Sequence, residues 1–166
     1  FQPINMVEEG DDTILISDPI APMIHAFTGD QFSERFATSQ PMGPIAWRGN
    51  TLLTAIGKKL HACRGEAAIP PLFEFSTPIK TIVSDSERRL WGALSGATAA
   101  SHDTLFFLSR TQKPVTISLS EPLHIDALSV TGDDLFILDG GRRTIWRASL
   151  SGFTTRKASL SPTRLF

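Results

Sequence analysis

The chain repeats itself, and that repeat limits its fold more than any other feature. Four segments share one grammar: an apolar stretch, a polar turn, a second apolar stretch and a tight polar turn. They are "INMVEEGDDTILISD" from Ile4, "IAWRGNTLLTAIG" from Ile45, "IKTIVSDSERRLWGALSG" from Ile79 and "IDALSVTGDDLFILDGG" from Ile125. The second stretches centre on Ile14, Leu52, Leu90 and Leu135, so the units recur after 38, 38 and 45 residues. Internal periods of roughly 20–50 residues mark architectures in which one small unit buries its faces against the next.

Each unit continues with a third stretch: "MIHAFTG" at Met23, "KLHACRG" at Lys59, "TLFFLSR" at Thr104 and "TIWRASLSG" at Thr144. A weaker fourth follows: "QFSERFAT", "PLFEFST", "PVTISLS" and "TTRKASLS", the last covering 154–161. The stretches are short, rich in Ile, Leu, Val, Phe and Thr, and punctuated by Gly, Asp, Asn or Ser. That is strand-and-turn chemistry. "TILIS", "TLFFL" and "DLFILD" are apolar with hardly a break, which predicts strands covered on both faces. A helix competes only over "SDSERRLWGALSGATAA", where Ser84 or Ser86 would cap it and Gly96 would end it. The match of "RRLWGALSG" to "DDLFILDGG" favours a strand there.

Four-stranded units of ~40–45 residues are the blades of a β-propeller. The chain resembles the broad NHL/YVTN-like group of propellers through "GDDTILISD" and "GDDLFILDGGRRTIWRASLSG". The resemblance implies a second strand ending in Asp, a Gly-containing turn, a basic residue and a strand with an aliphatic side chain. Asp139, Gly140, Arg143 and Ile145 fit it. Units two and three, with "TAIGKKLHAC" and "GALSGATAASHD", lack the Asp. The expected fold is therefore all-β: four four-stranded antiparallel blades, near 4–43, 44–78, 79–122 and 123–166, in one propeller domain. They form either a four-bladed ring or half of a larger ring. Trp47, Trp91 and Trp146, one in each of three units, are expected to pack between blades.

The 166 residues suffice for one core, and Cys63, the only cysteine, excludes an intrachain disulfide. No apolar run reaches the ~18 residues of a membrane helix. The net charge of −1 hides an asymmetry. Residues 1–40 hold seven acids and one Arg, a balance of −6; residues 140–166 hold six cations and no acid, +6. Two arrangements follow. Units one and four pack on each other with these charges at the seam, or a protein partner or second copy completes a larger ring. Glu8, Glu9, Asp11 and Asp12 facing Arg142, Arg143, Arg147 and Arg156 are the interface candidates. Two copies joined head to tail would close eight blades.

Signals for chemistry are few. There is no nucleophile elbow, zinc helix, P-loop or dinucleotide fingerprint. His25 and His61 occupy equivalent third-strand places in "IHAF" and "LHAC", so a metal pair across blades is conceivable. Units three and four place Phe106 and Trp146 there, and no metal or cofactor is expected. Asp11, Asp12, Asp133 and Asp134 recur at the first turn but offer too few oxygens for calcium. Asp18 and Asp139 end second strands, toward the face where propeller ligands commonly sit. Asp18, Asp139, His25 and His61 are thus the ligand-binding candidates. Lactonase-type propellers bind a cation through acids and an Asn, whereas Asn5 and Asn50 precede second strands here. The basic tail invites phosphates, but Trp146, Phe153 and Phe166 are too irregular for a stacking platform. The leading expectation is a non-catalytic scaffold for protein–protein interaction or assembly. The alternative is a ligand-binding or lactonase-like hydrolytic propeller whose site further blades complete. The fold's usual company, and Phe1 in place of an initiating Met, point to a periplasmic or extracellular location.

Overall fold

The computed structural model describes residues 5–10, 12–18, 20, 22–37, 41–63, 70–98, 101–109, 113–151, 153–154 and 158–166. Among them there is no helix, and four small antiparallel sheets are arranged as the blades of a four-bladed β-propeller. Blade one is β1 (Asn5–Glu8), β2 (Thr13–Asp18), β3 (Met23–Thr28) and β4 (Gln31–Ala37), paired in that order. Blade two is β5 (Ile45–Arg48), β6 (Thr51–Ile56), β7 (Lys59–Ala62) and β8 (Phe73–Glu74). Blade three is β9 (Ile79–Ser84), β10 (Leu90–Leu94), β11 (Thr104–Leu108) and β12 (Val115–Leu119). Blade four begins with β13 (Ile125–Thr131), β14 (Asp134–Asp139) and β15 (Thr144–Ser149). The strand β10 lies where a helix was the competing reading.

The last unit departs from expectation. Its outer strand is expected over 154–161, of which 155–157 lie outside the described residues. Instead β16 (Ser159–Leu160) pairs in parallel with β12 of blade three, and β17 (Thr163–Arg164) completes blade four against β15. The physical reason is Leu160, the apolar side chain between two serines. Its pairing with blade three buries it among Trp91, Ile117 and Leu135, between blades three and four.

Successive side chains on a strand point to opposite faces, and every internal seam uses this. Leu52 joins Leu15 and Ile24 between blades one and two. Its neighbour Leu53 joins Leu90 and Phe106 between blades two and three. Phe107, the residue after Phe106, joins Trp91, Leu135 and Trp146 between blades three and four. "TLFFL" is therefore covered on both faces, as its composition predicts. The inner strands follow suit: β1 packs along β5, β5 along β9 and β9 along β13. Among the described residues β13 makes no comparable contact with β1.

Gly92 sits opposite Phe106 across β10 and β11. A Cβ there would overlap the Phe106 ring, with the Ile82 methyl 3.0 Å away on the other side. The ring occupies the space that the glycine vacates. Gly92→Ala is expected to destabilise the chain by about 1–3 kcal/mol, read as a lower urea midpoint at unchanged slope.

Candidate functional site

The face of blade one turned away from blade two is the most distinctive surface. Alternation on β2 sends Leu15 and Ser17 toward blade two and leaves Ile14 and Ile16 on the other side. The register adds Met6 and Glu8 from β1, His25 and Phe27 from β3 and Phe32 from β4 to that outer side. His25 stacks on Phe32 with ring centroids 4.7 Å apart. Ile14 is 39% exposed, whereas its repeat equivalents Leu52, Leu90 and Leu135 are 2%, 0% and 0% exposed. Each of those three packs on the preceding blade. A concavity of about 280 Å³ opens at the end of this face, with Ile14 and Phe27 on its floor and Glu8 and Asp12 on its rim. "TILIS" is thus apolar on both sides and covered on one.

Blade four mirrors this. Leu135 and Ile137 face blade three, while Phe136 and Leu138 face outward, Leu138 40% exposed. Across β15 the same outer side carries Ile145 and Arg147. Arg147 Nη2 lies 2.8 Å from Asp134 Oδ2. That hydrogen bond raises the guanidinium pKa still further and fixes its charge.

A second cleft, about 510 Å³, is lined by the inner strands of blades one, two and three together with the turn Asp85–Arg88. Its walls are tied across seams. Trp47 Nε1 donates to the Glu8 carbonyl at 2.7 Å, and Ser84 Oγ donates to the Trp47 carbonyl at 2.6 Å. Asn5 Oδ1 accepts from the Ile45 amide at 3.1 Å. The Arg88 guanidinium stands 5.7 Å from the Trp47 ring centre.

The residues proposed from sequence are dispersed. Asp18 and Asp139 are both buried at the ends of second strands, where they cap turns. Asp18 Oδ1 accepts from the Ile20 amide at 2.8 Å, and Asp139 Oδ1 from the Arg142 amide at 3.1 Å. Asp139 Oδ2 is buried without a hydrogen bond, 3.8 Å from Arg142 Nε. His61 lies on the side of blade two that faces blade one, and His25 on the far side of blade one, so the sheet of blade one stands between them. Among the described residues no group of three or more His, Cys, Asp or Glu is placed to hold a metal ion. Glu9 pairs with Arg35 within blade one, as Arg147 does with Asp134 in blade four. Asp11 and Arg156 lie outside the described residues.

Two buried acids escaped the sequence reading. Asp85 accepts from the amides of Glu87 and Arg89, from Arg89 Nε at 2.6 Å and from Trp91 Nε1 at 3.2 Å. Asp103 accepts from the Gly96 amide at 2.9 Å, the Ile125 amide at 2.7 Å and Lys80 Nζ at 2.8 Å. It thereby joins blade three to the first strand of blade four. Partial burial opposes the charge on Lys80, but its bonds to Asp103 and Asp126 outweigh that and raise its pKa. This contribution is complete below the unfolded lysine pKa and is lost as pH rises through the folded one. The available signal was an Asp beside an apolar strand, which is also what a plain turn shows.

No protein-family model and no curated protein matches the sequence. The chain is similar in structure to luciferin-regenerating enzyme, with a TM-score of 0.69 and 12% identity over 96% of this chain and 58% of that one. It is similar to U3-55K, at 0.64 and 12% over 98% and 49%. It is also similar to the WD40 β-propeller domain of Doa1, at 0.54 and 8% over 90% and 65%. The chain spans less than two thirds of each of these chains. Likeness at such identities shows the propeller fold, and the NHL/YVTN-like resemblance stays at the level of blade grammar.

Two measurements check the seams. Removing the Asp103 carboxylate strands two part-buried amides and a partly buried ammonium. Asp103→Ala is expected to lose on the order of 2–4 kcal/mol of unfolding free energy. Cys63 packs against the cluster between blades one and two, and burial raises its thiol pKa from 9.0 to about 12. At pH 8 its thiolate fraction falls by roughly a thousandfold, so alkylation of the folded chain should lag the unfolded chain by that order.

Proposed function

We propose that this chain is a non-catalytic β-propeller that works by associating with protein, as a scaffold for assembly. The observation carrying this reading is the outer face of blade one, where Ile14 is exposed at a position that is buried in the other three blades. Apolar surface at a repeat seam is stabilised only when another surface covers it. The mixed character of the face suits a protein partner. Met6, Ile14 and Phe27 offer area, and Glu8 and Asp12 ring it with charge. Aromatic and Met side chains within a polar rim are the usual make-up of an interface core. The NHL/YVTN-like blade grammar belongs to this reading. The buried, unbonded Oδ2 of Asp139 speaks for a ligand site instead, and the nearby Arg142 already answers its charge.

Site-specific photo-crosslinking tests the role. A benzophenone amino acid replacing Phe27 should capture polypeptide in extract of the source cells. The same group at Thr116, an exposed residue of blade three, should capture severalfold less. Capture at neither Phe27 nor Leu138, with the photoprobe shown to be reactive, would remove the basis for an association role.

A further inference from the structure

We infer that His102 and His124 form a zinc site that fastens blade three to blade four at one end of their shared seam. The inference goes beyond the association role and does not depend on it.

The two imidazoles come from different blades. His102 lies just before β11 in blade three, and His124 directly precedes β13 in blade four. Their ring centroids stand 5.3 Å apart, with the planes tilted by 57°. An imidazole nitrogen binds zinc at roughly 2.0–2.1 Å, which sets the ring centre roughly 3.2 Å from the metal. Two such rings at the tetrahedral angle lie about 5.2 Å apart, and at a right angle only about 4.5 Å. The observed separation matches tetrahedral coordination, the habit of zinc, and not the right angle of a square-planar ion. Among the described residues neither imidazole makes a hydrogen bond or an ion pair, so the ring nitrogens are open to a ligand. His102 is exposed and His124 half-buried, so a metal can reach the pair from solvent.

The surroundings hold the pair in place and leave it room. The Asp103 amide donates to the Leu123 carbonyl at 3.0 Å, and Asp103 Oδ2 accepts from the Ile125 amide at 2.7 Å. These bonds bracket His124 and begin at the residue after His102. The Gly140 amide donates to the His124 carbonyl at 3.1 Å. A metal therefore meets ligands whose backbone is already placed, and little ordering is left to oppose binding. Gly141 keeps space beside the second ring: a Cβ there would stand 3.1 Å from His124 Cδ2 and 3.3 Å from Asp139 Oδ1. Its φ is not positive, so the backbone does not demand glycine, whereas the ring does. The same point adjoins Asp139, a buried carboxylate whose Oδ2 accepts no hydrogen bond and lies 3.8 Å from Arg142 Nε. Its negative charge favours a cation nearby. Among the described residues no third His, Cys, Asp or Glu joins the pair, so water completes the zinc shell. Zinc held in this way binds the folded chain alone and stabilises the seam by mass action.

Titration calorimetry of the chain with zinc chloride tests this, together with imidazole proton–nitrogen spectra assigned through the backbone. One zinc per chain is expected, and the ring nitrogens of His102 and His124 should shift together as zinc is added. Zinc at ten times its dissociation constant should raise the melting temperature by about 3–6 °C. His102→Gln and His124→Gln should each weaken binding at least tenfold and lose that rise, with circular dichroism to verify folding. The wild-type spectra decide the matter even if a variant fails to fold. Zinc that shifts His25 or His61 and leaves His102 and His124 unmoved overturns the inference. So does a dissociation constant weaker than about 1 mM, and so does a folded glutamine variant that binds as tightly as the wild type.

Discussion

A blade in this fold has two faces, and both must be covered. That requirement follows from the second and third strands, where adjacent apolar residues point to opposite sides. Leu52 and Leu53 serve different clusters, as do Phe106 and Phe107. Burying a side chain of this size contributes roughly 1.5–3 kcal/mol. Each internal seam gathers many such side chains, so stacking supplies most of what holds the sheets together. A single sheet of this composition would leave half of its apolar side chains in water. Among the described residues the requirement is met at three seams, and one face of blade one and one of blade four lie outside them.

Apolar wedges are adhesive but not directional. Direction comes from polar ties that cross each seam at fixed points. Trp47 reaches the Glu8 carbonyl from blade two to blade one, and Ser84 reaches the Trp47 carbonyl from blade three to blade two. Asp103 holds the first amide of blade four. Each tie fixes the height of one blade on the next, and the one at Asp103 also satisfies the amide of the buried Ile125. The strand β16 adds a backbone tie of the same kind, because it leaves blade four and hydrogen-bonds to blade three. The seam between blades three and four is thus fastened twice.

The repeat was legible because it is written in covalent order: apolar runs, turns and their period survive without tertiary knowledge. The strand at Leu90–Leu94 was legible by its match to Leu135–Asp139, even though "SDSER" offers caps for a helix. The place of Ser159–Leu160 was not legible. Its pairing depends on a wedge beside blade three that only the assembled sheets create, and a lone Leu160 carries no sign of which sheet it joins. The candidate histidines were placed correctly on equivalent strands, but their spacing in sequence hides the sheet that stands between them. Asp85 and Asp103 look like ordinary turn residues, and their roles appear only when distant amides arrive. The outer face of blade one was half legible. "TILIS" announces two covered faces, and only the structure shows that one of them is bare.

The bare faces also explain where the charges sit. Hydrophobic seams of one repeat family resemble one another, so any uncovered face tends to stick to any other. Glu8 and Asp12 edge the concavity of blade one, and Arg147 stands among the outward side chains of blade four. Charges at such rims add little affinity, because water and salt screen them. Their effect lies in discrimination: like faces repel before their apolar centres meet, and unlike faces attract. Arg147 already holds Asp134, so its charge is partly neutralised on its own face. Charges at such rims therefore bias which faces meet more than how tightly they hold.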